Sequence, residues 1–351
     1  MVNKIGIIGA GAFGTALAKI VAEKGIDVTM WSFDKEGCDQ INSVHENKKF
    51  LPGIKLPENI TATTSILEAA NDKEIIILAS PSLFILDSVK KLLDVPFVKE
   101  GKTTIGIVAK GFIPSKDEPK LILETIENYL PGFYRDNLVY ISGPSHAEEV
   151  ATGGFTGLIS ASKNPKNSIK IRELLSSDSL NVFSSFDVVG VQISAAVKNV
   201  IAIAFGVLDA IKERSSAIGD NTESLLLAAG LNEIMSLGKS LGATHAETFT
   251  SIAGVGDLDV TCRSIHGRNR RFGRDIILNN ILDNFKDYDD LIDNLDKLPY
   301  LPEGAVAVGH AYKLAKKHGL KLDIINTVWN ILNKNSTPED EVKKYLKITK
   351  F

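Results

Sequence analysis

The sequence predicts an α/β fold, a doubly wound parallel sheet followed by an all-α domain, and three observations support this prediction. A short apolar run at Lys4–Ile8 leads directly into a glycine-rich turn and a helical pattern at Thr15–Lys24. Short apolar runs then alternate with helical patterns through the first half of the chain, which favours a parallel sheet covered on both faces. From Asp187 onward only helical patterns occur. We therefore expect two domains, 1–186 and 187–351.

The strands are predicted as short apolar runs, and the helices as longer segments with apolar residues every three or four positions. After the first strand, predicted strands lie at Asp27–Trp31, Ile60–Ala62, Glu74–Ala79, Thr104–Val108, Leu138–Ser142, Gly157–Ser160 and Asn181–Ser184. Predicted helices of the first half lie at Lys35–His45, Ser65–Ala70, Leu83–Leu93 and Pro119–Leu130. Those of the second half lie at Val188–Ile211, Glu223–Leu241, Arg270–Asn279, Gly304–Lys317 and Ile324–Asn333. The acidic stretch Asp283–Lys297 is predicted to be a solvated loop.

Length and composition are those of an ordinary globular protein. The chain has 351 residues, of which 44% are hydrophobic and 24% charged, and a net charge of −3. This balance indicates neither nucleic acid nor a membrane as a partner. The two cysteines, Cys38 and Cys262, have no metal-type spacing, so we expect a reducing compartment and no metal site. We also expect no apolar run long enough to span a membrane and no cleavable targeting peptide, hence a cytoplasmic protein.

The glycine-rich turn after the first strand has the pattern G-x-G-x-x-G, with glycines at 9, 11 and 14. Between a strand and a helix this pattern is typical of a Rossmann-type dinucleotide site. Gly9 makes the tight turn, Gly11 lets the pyrophosphate approach the backbone, and Gly14 lets the helix pack close to the strand. The helix N-terminus then offers N–H groups and partial positive charge to the phosphates. The alternative is a glycine turn that only permits close packing.

Two charged residues follow predicted strands at the edge where such sheets bind ligands. Asp34 stands about 20 positions beyond the glycines, where an acidic residue typically binds the ribose hydroxyls of NAD. No arginine or histidine occurs at 32 to 34 to hold the 2′-phosphate of NADP, and Lys35 is the nearest cation in the sequence. We expect NAD to be used at least as well as NADP. Lys110 follows the strand Thr104–Val108 and is either a ligand contact or a solvated loop lysine.

The helical half contains three further candidates. Lys198 lies among small and apolar residues of the long helix, so it either meets a partner or ligand or extends its ammonium to solvent. Asp257 is predicted to lie in a glycine-rich loop that enters apolar surroundings. Arginines at 268, 270, 271 and 274 suggest an anion site at the start of a helix, and the alternatives are a solvated charged helix or a nucleic-acid patch.

Together these segments resemble the soluble NAD(P)-dependent glycerol-3-phosphate dehydrogenases over nearly the whole chain. The resemblance rests on segments in the family's order and spacing: Gly9–Gly14, Thr29–Trp31, His45–Gly53, Ala109–Gly111, Ser142–Ser145, Ala196–Val200, Gly254–Leu258, Thr261–Cys262, Arg268–Gly273 and Pro302–Gly304. Ala-Val-Lys-Asn-Val followed by Arg-Asn-Arg-Arg-Phe-Gly is its most specific part. Phe33, Asp34 and Gly267 are similar to the NAD-specific branch of that family.

The resemblance implies a reversible hydride transfer between NAD(P)H and dihydroxyacetone phosphate that gives sn-glycerol 3-phosphate for phospholipid synthesis. It implies that Lys198 is the catalytic proton donor or acceptor. The implied substrate contacts are Lys110, Gly143, Ser145, Lys198, Asp257, Arg268 and Asn269. The implied cofactor contacts are Gly9, Gly11, Ala12, Phe13, Gly14, Phe33, Asp34, Lys110, Ala147, Arg268, Leu301 and Glu303.

Two other functions stay open on the residues alone. One is a related hydroxyacid dehydrogenase with a catalytic lysine, whose substrate need not carry a phosphate. The other is a non-catalytic sensor of NAD(H). The apolar helices of the second half make a homodimer plausible, whereas the physiological direction and any regulator are not indicated by the sequence.

Overall fold

The computed structural model describes residues 2–113, 119–264 and 267–347. The chain divides into two compact units. The first is formed by residues up to Ile113 together with Lys120–Val188, and the second begins at Val189.

An eight-stranded sheet forms the centre of the first unit. The strands of this unit are β1 (Lys4–Ile8), β2 (Asp27–Trp31), β3 (Glu46–Asn47), β4 (Leu51–Lys55), β5 (Ile60–Thr63), β6 (Ile75–Leu78), β7 (Thr104–Ile107), β8 (Val139–Ser142), β9 (Thr156–Ala161) and β10 (Leu180–Ser185). Their order in the large sheet is β10-β9-β8-β7-β6-β1-β2-β5, while β3 and β4 form a separate hairpin. The predicted doubly wound sheet is confirmed, and the hairpin is an addition that its short, non-alternating sequence did not indicate.

One strand pair differs from the predicted parallel arrangement, because β9 runs antiparallel to β8. The helix between these two strands, Ala147–Ala151, has only five residues and spans about 8 Å at 1.5 Å per residue. It is too short to carry the chain back along a strand of about 20 Å. The eleven-residue helix Pro165–Leu175 does so, and β10 therefore runs parallel to β9.

Helices cover the two faces of the large sheet. They are α1 (Ala12–Glu23), α2 (Lys35–Val44), α3 (Ile66–Ala70), α4 (Ile85–Leu92), α5 (Pro96–Lys99), α6 (Ile122–Glu127), α7 (Ala147–Ala151) and α8 (Pro165–Leu175). The central strands are apolar on both faces, as β6 shows with four consecutive fully buried residues. This pattern is what a parallel sheet between two helical layers requires.

The described residues of the second unit form helices and no strand. They are α9 (Val188–Lys212), α10 (Asp220–Ser240), α11 (Glu247–Thr250), α12 (Asp257–Arg263), α13 (Arg268–Leu278), α14 (Tyr288–Asp293), α15 (Glu303–Lys317), α16 (Asp323–Leu332) and α17 (Pro338–Leu346). A π-helical turn spans Ile252–Gly256. The loop prediction for Asp283–Lys297 is wrong: α14 and two 3₁₀ turns form there, because apolar side chains such as Leu291 are buried in the core.

Helix α9 is long and apolar enough to cross a membrane, which corrects the expectation that no such segment exists. The mean hydropathy of its most apolar window is 1.8, and 94% of that window is buried inside the fold. Burial of this extent is typical of the central helix of a helical domain.

Glu233 of α10 caps the start of α16 from inside the second unit. Its two carboxylate oxygens accept hydrogen bonds from the amides of Ile324 (2.7 Å) and Ile325 (3.1 Å). Burial raises the pKa of Glu233 from 4.5 to about 7, although the amide hydrogen bonds oppose this. Between these values the folded chain keeps a proton that the unfolded chain has released, so the free energy of unfolding falls as the pH rises.

Replacing Glu233 by glutamine is expected to remove this dependence, because an amide does not titrate. The wild type should lose stability relative to Glu233→Gln between about pH 5 and pH 7, at up to about 1.4 kcal/mol per pH unit. Urea unfolding of both proteins across this range measures the difference. Glu247→Gln, a change at an exposed position, should keep the wild-type slope, and an unchanged slope in Glu233→Gln would contradict the assignment.

Candidate functional site

The three glycines of the turn after β1 have the geometry that a dinucleotide loop requires. Gly9 has a φ of +124°, and a Cβ there would lie 2.7 Å from the backbone of Ala79 and Ser80. A Cβ on Gly14 would collide with the carbonyl oxygen of Gly9, so α1 packs directly against the turn. A Cβ on Gly11 would meet nothing within 4 Å. The space in front of Gly11, at the N-terminus of α1, is thus open to a pyrophosphate.

Asp34 lies at the end of β2 and caps the N-terminus of α2. Its Oδ1 accepts a hydrogen bond from the amide of Gly37 (3.2 Å), and its Oδ2 pairs with Nζ of Lys49 (2.9 Å). The hydrogen bond from Lys49 holds the pKa of Asp34 below its ordinary value. The carboxylate is therefore ionised and partly neutralised where a ribose is expected.

The hairpin β3–β4 is fastened to the glycine-rich turn by Asn47, a contact that the sequence did not indicate. Asn47 is buried, and its Nδ2 donates to the carbonyl oxygen of Ala10 and to Oγ1 of Thr15, both at 2.8 Å. Its Oδ1 accepts from the amide of Phe50 (3.3 Å). Asn47 thus sets the position of the hairpin turn, with Lys49, relative to the turn that precedes α1.

Asn47→Ala is expected to raise KM for NADH by about tenfold or more while changing kcat less, because the turn loses its outer support. Two buried acceptors also lose a donor, which costs about 1–3 kcal/mol each. Steady-state kinetics with varied NADH and urea unfolding measure the two effects. Asn42→Ala is the matched control, since Asn42 makes two side-chain hydrogen bonds to Ala62 away from the turn. An equal rise in KM for both variants would show a general loss of stability instead.

Lys110, Gly143 and Ser145 come together in the first unit. Nζ of Lys110 donates to the carbonyl oxygen of Gly143 (2.9 Å), and Oγ of Ser145 donates to the same oxygen (3.1 Å). Gly143 has a φ of +139°, and a Cβ there would lie 2.7 Å from the carbonyl oxygen of Gly157. The cluster places an ammonium and a hydroxyl side by side, as a small polar ligand would require.

The other predicted contacts of the first unit lie at the starts of helices or beside Asp34. Ala12 begins α1 and Phe13 follows it, both half-buried, while Ala147 begins α7 and is buried. Phe33 is 76% exposed. An exposed aromatic ring of this size beside Asp34 offers a face on which a flat heterocycle can stack.

In the second unit Lys198 does not reach solvent but meets Asp257. Both side chains are buried, with exposures of 5% and 1%, and Nζ of Lys198 donates to Oδ1 of Asp257. Nζ also donates to Oγ1 of Thr261 (2.9 Å), whose hydroxyl in turn donates to the carbonyl oxygen of Asp257. The ammonium is thereby charge-paired and fixed in direction, which a proton donor needs. Thr261 is part of the resemblance but had no role in the sequence prediction.

The segment before Asp257 is a π-helical turn, Ile252–Gly256, and the loop prediction there is wrong. A Cβ on Gly254 would collide with the backbone of Phe249, so this turn depends on a glycine. The π turn leads directly into α12, which Asp257 begins. Asp257 therefore lies within a continuous helical segment, directly after the π turn and at the start of α12. Isolated π turns are frequently found at functional sites.

The prediction of an anion site built from four arginines is too broad. Arg270 pairs with the buried Asp209, Arg274 with Glu213 at 2.5 Å, and Arg271 lies 3.7 Å from Asp275. These arginines hold α13 to the rest of the unit or cover its surface. Arg268, the first residue of α13, is exposed and makes no ion pair with any described residue. Only Arg268 of the four therefore remains a candidate for an external anion.

Asn269 is already engaged within the second unit. Its Nδ2 donates to Oδ1 of Asn199 (3.0 Å), and its Oδ1 accepts from the amide of Gly304 (2.9 Å). It thereby joins α9, α13 and the first turn of α15. Among the described residues one of its two amide hydrogens is used, which leaves the other for a ligand. Leu301 and Glu303, at the entry to α15, are both half-buried.

The chain combines a doubly wound sheet and an open glycine-rich turn with a helical unit that holds a buried lysine–carboxylate pair. This combination is typical of dinucleotide-binding oxidoreductases. Residues 4–168 match the N-terminal domain, and residues 187–343 the C-terminal domain, of NAD-dependent glycerol-3-phosphate dehydrogenase. The chain therefore belongs to the glycerol-3-phosphate dehydrogenase family.

Individual relatives are similar over nearly their full length. A protein of Treponema denticola named glycerol-3-phosphate dehydrogenase [NAD(P)+] is 53% identical, with 99% of each chain covered. A protein of Bacillus velezensis with the same name is 37% identical over 98% of this chain and 94% of its own. The crystal structure of glycerol-3-phosphate dehydrogenase from Coxiella burnetii superimposes with a TM-score of 0.82 at 29% identity, covering 99% of both chains.

Proposed function

We propose that this protein catalyses the reversible NAD(P)-dependent interconversion of dihydroxyacetone phosphate and sn-glycerol 3-phosphate. The observation that carries the proposal is the buried Lys198–Asp257–Thr261 cluster. A buried ammonium is costly unless it is paired. The pairing orients Nζ as well as stabilising it, and an oriented ammonium can give or take a proton at a substrate oxygen.

When bound, the nicotinamide cofactor would supply the hydride for C2 of the ketone, or would accept it from C2 of the alcohol. In the reducing direction Lys198 Nζ gives a proton to the C2 oxygen as negative charge develops there, and in the reverse direction it takes the hydroxyl proton. Asp257 neutralises the ammonium and, with Thr261, keeps Nζ directed. Burial raises the pKa of the nearby Cys262 thiol, so it stays protonated and supplies no nucleophile.

The proposed function also gives a role to each of the other predicted contact residues. The guanidinium of Arg268, with the amides that open α13, holds the substrate phosphate. Lys110, Gly143 and Ser145 are further proposed substrate contacts, and Asn269 is another. The cofactor contacts are those at Gly9, Gly11, Ala12, Phe13, Gly14, Phe33, Asp34, Lys110, Ala147, Arg268, Leu301 and Glu303. Accordingly the first unit is the dinucleotide domain and the second carries the catalytic lysine.

The proposal is tested by adding dihydroxyacetone phosphate to the protein with NADH or with NADPH and following the loss of reduced-nicotinamide absorbance. We expect oxidation of both cofactors, with NADH used at least as well, and sn-glycerol 3-phosphate as the product. Binding of NADH without oxidation would support a sensor. Oxidation with a 2-keto acid but not with the phosphorylated ketone would support a hydroxyacid dehydrogenase. The product would serve phospholipid synthesis in the cytoplasm, and a homodimer is expected from the apolar helices.

A further inference from the structure

The hairpin turn Lys48–Phe50 places a cation beside the residue that is expected to select the cofactor. Nζ of Lys49 lies 2.9 Å from Oδ2 of Asp34, 5.9 Å from the centre of the Phe33 ring and 5.4 Å from that of Phe50. Side-chain exposure is 56% for Lys49 and 19% for Asp34. The ammonium therefore covers the carboxylate on its solvent side, between two aromatic rings.

We propose that Lys49 is the residue that allows this site to accept the 2′-phosphate of NADP(H) as well as the free ribose of NAD(H). The proposal rests on the proposed function, since it places the adenosine ribose at the end of β2. With a free ribose, Asp34 accepts the hydroxyl hydrogens and Lys49 stays paired with the carboxylate. With a 2′-phosphate, the Lys49 ammonium turns from the carboxylate to the phosphate, which a flexible lysine side chain permits.

From the sequence, Asp34 favours the free ribose of NAD, and Lys35 is the nearest cation that could hold a 2′-phosphate. Lys35 begins α2, is exposed and makes no ion pair with a described residue. Lys48 is likewise exposed and unpaired within the described chain. Of these three lysines only Lys49 contacts Asp34. The backbone on either side of Lys49 is also held in place by Asn47. Asn47 accepts a hydrogen bond from the amide of Phe50 and donates one to the carbonyl oxygen of Ala10, in the turn before α1.

The Asp34 carboxylate also has a structural role, and its position therefore does not depend on the cofactor. Asp34 caps α2 through Gly37, so it stays in position whichever partner Lys49 takes. Asparagine caps a helix as well as aspartate does. Asp34→Asn therefore removes the negative charge without removing the cap, and it isolates the electrostatic part of the selection.

The experiment compares Lys49→Met with Lys48→Met and Lys35→Met, which remove the same charge from neighbouring positions. The readout is the ratio of kcat/KM with NADPH to kcat/KM with NADH. We expect Lys49→Met to lower this ratio by about tenfold or more, as loss of one charge-assisted contact implies. The two controls should keep the ratio within about twofold. Asp34→Asn should raise the ratio.

Binding of adenosine 2′,5′-bisphosphate and adenosine 5′-monophosphate, measured by calorimetry, tests the same point without turnover. The two nucleotides differ only in the 2′-phosphate, and Lys49→Met should reduce the preference for the bisphosphate by about tenfold. An unchanged preference in Lys49→Met, or a loss of it in Lys35→Met, would overturn the proposal. So would a wild type that uses only NADH, although the proposed function would then stand. Absence of turnover with intact discrimination between the nucleotides would instead overturn the proposed function alone.

Discussion

Lys198→Ala is expected to lower kcat by about 10² to 10⁴-fold, the usual contribution of a positioned proton donor. Nζ of Lys198 is the only atom of this side chain that can move a proton, and Asp257 and Thr261 fix its direction. The affinity for NADH, measured by fluorescence titration, should change far less, since the predicted pyrophosphate contacts lie in the first unit. Near-normal turnover would remove Lys198 from the reaction.

A structural explanation of the same loss has to be separated from the catalytic one. Removing Lys198 leaves the buried carboxylate of Asp257 unpaired, which typically costs about 3–5 kcal/mol. The double variant Lys198→Met with Asp257→Leu replaces the pair by apolar side chains, which is often neutral for stability. We expect urea unfolding to show stability regained and the assay to show activity still lost. Lys212→Ala, at the exposed end of the same helix, should be close to wild type in both measurements.

The backbone features that the sequence predicted correctly depend on contacts between residues close in the chain. Gly14 is required by the carbonyl oxygen of Gly9, five positions earlier, so strand, turn and helix could be inferred from one short segment. Asp34 caps the helix that begins one residue later. Neighbouring residues determine these features, and their spacing in the sequence is therefore informative.

The parts that the sequence did not predict depend on partners far along the chain. The arginines at 270 and 274 suggested an anion site, but each pairs with a carboxylate 61 positions earlier. Asp209 lies on α9 and Glu213 directly follows this helix. Asn47 and Thr15 are 32 positions apart, so no local pattern connects the hairpin to the glycine-rich turn. The sequence of Gly254–Asp257 is rich in glycine, which suggests a loop, whereas Ile252–Gly256 forms a π turn in which Gly254 lies against the backbone of Phe249.

Arg268→Ala is expected to raise KM for dihydroxyacetone phosphate by about 10²-fold while lowering kcat less. A charge-assisted hydrogen bond to phosphate contributes about 1.5–3 kcal/mol, and a bidentate contact more. Arg268 is available for this contact because, unlike the other three arginines of α13, it makes no ion pair with a described residue. Steady-state kinetics with varied ketone measure the change.

Dihydroxyacetone, which lacks the phosphate, gives the sharpest control for Arg268. In the wild type kcat/KM should be much higher for the phosphorylated ketone than for dihydroxyacetone. In Arg268→Ala the ratio of these two kcat/KM values should fall by at least the factor by which KM rises. With saturating NADH, turnover of dihydroxyacetone itself should be alike in both, because this ketone has no phosphate for the guanidinium to hold. Arg271→Ala removes an equal charge from the same helix, where Arg271 covers the ring of Tyr300, and should preserve the advantage. If Arg271→Ala reduced the advantage of the phosphorylated ketone equally, the phosphate would be attracted only by the overall positive charge of α13. The specific contact assigned to Arg268 would then be wrong.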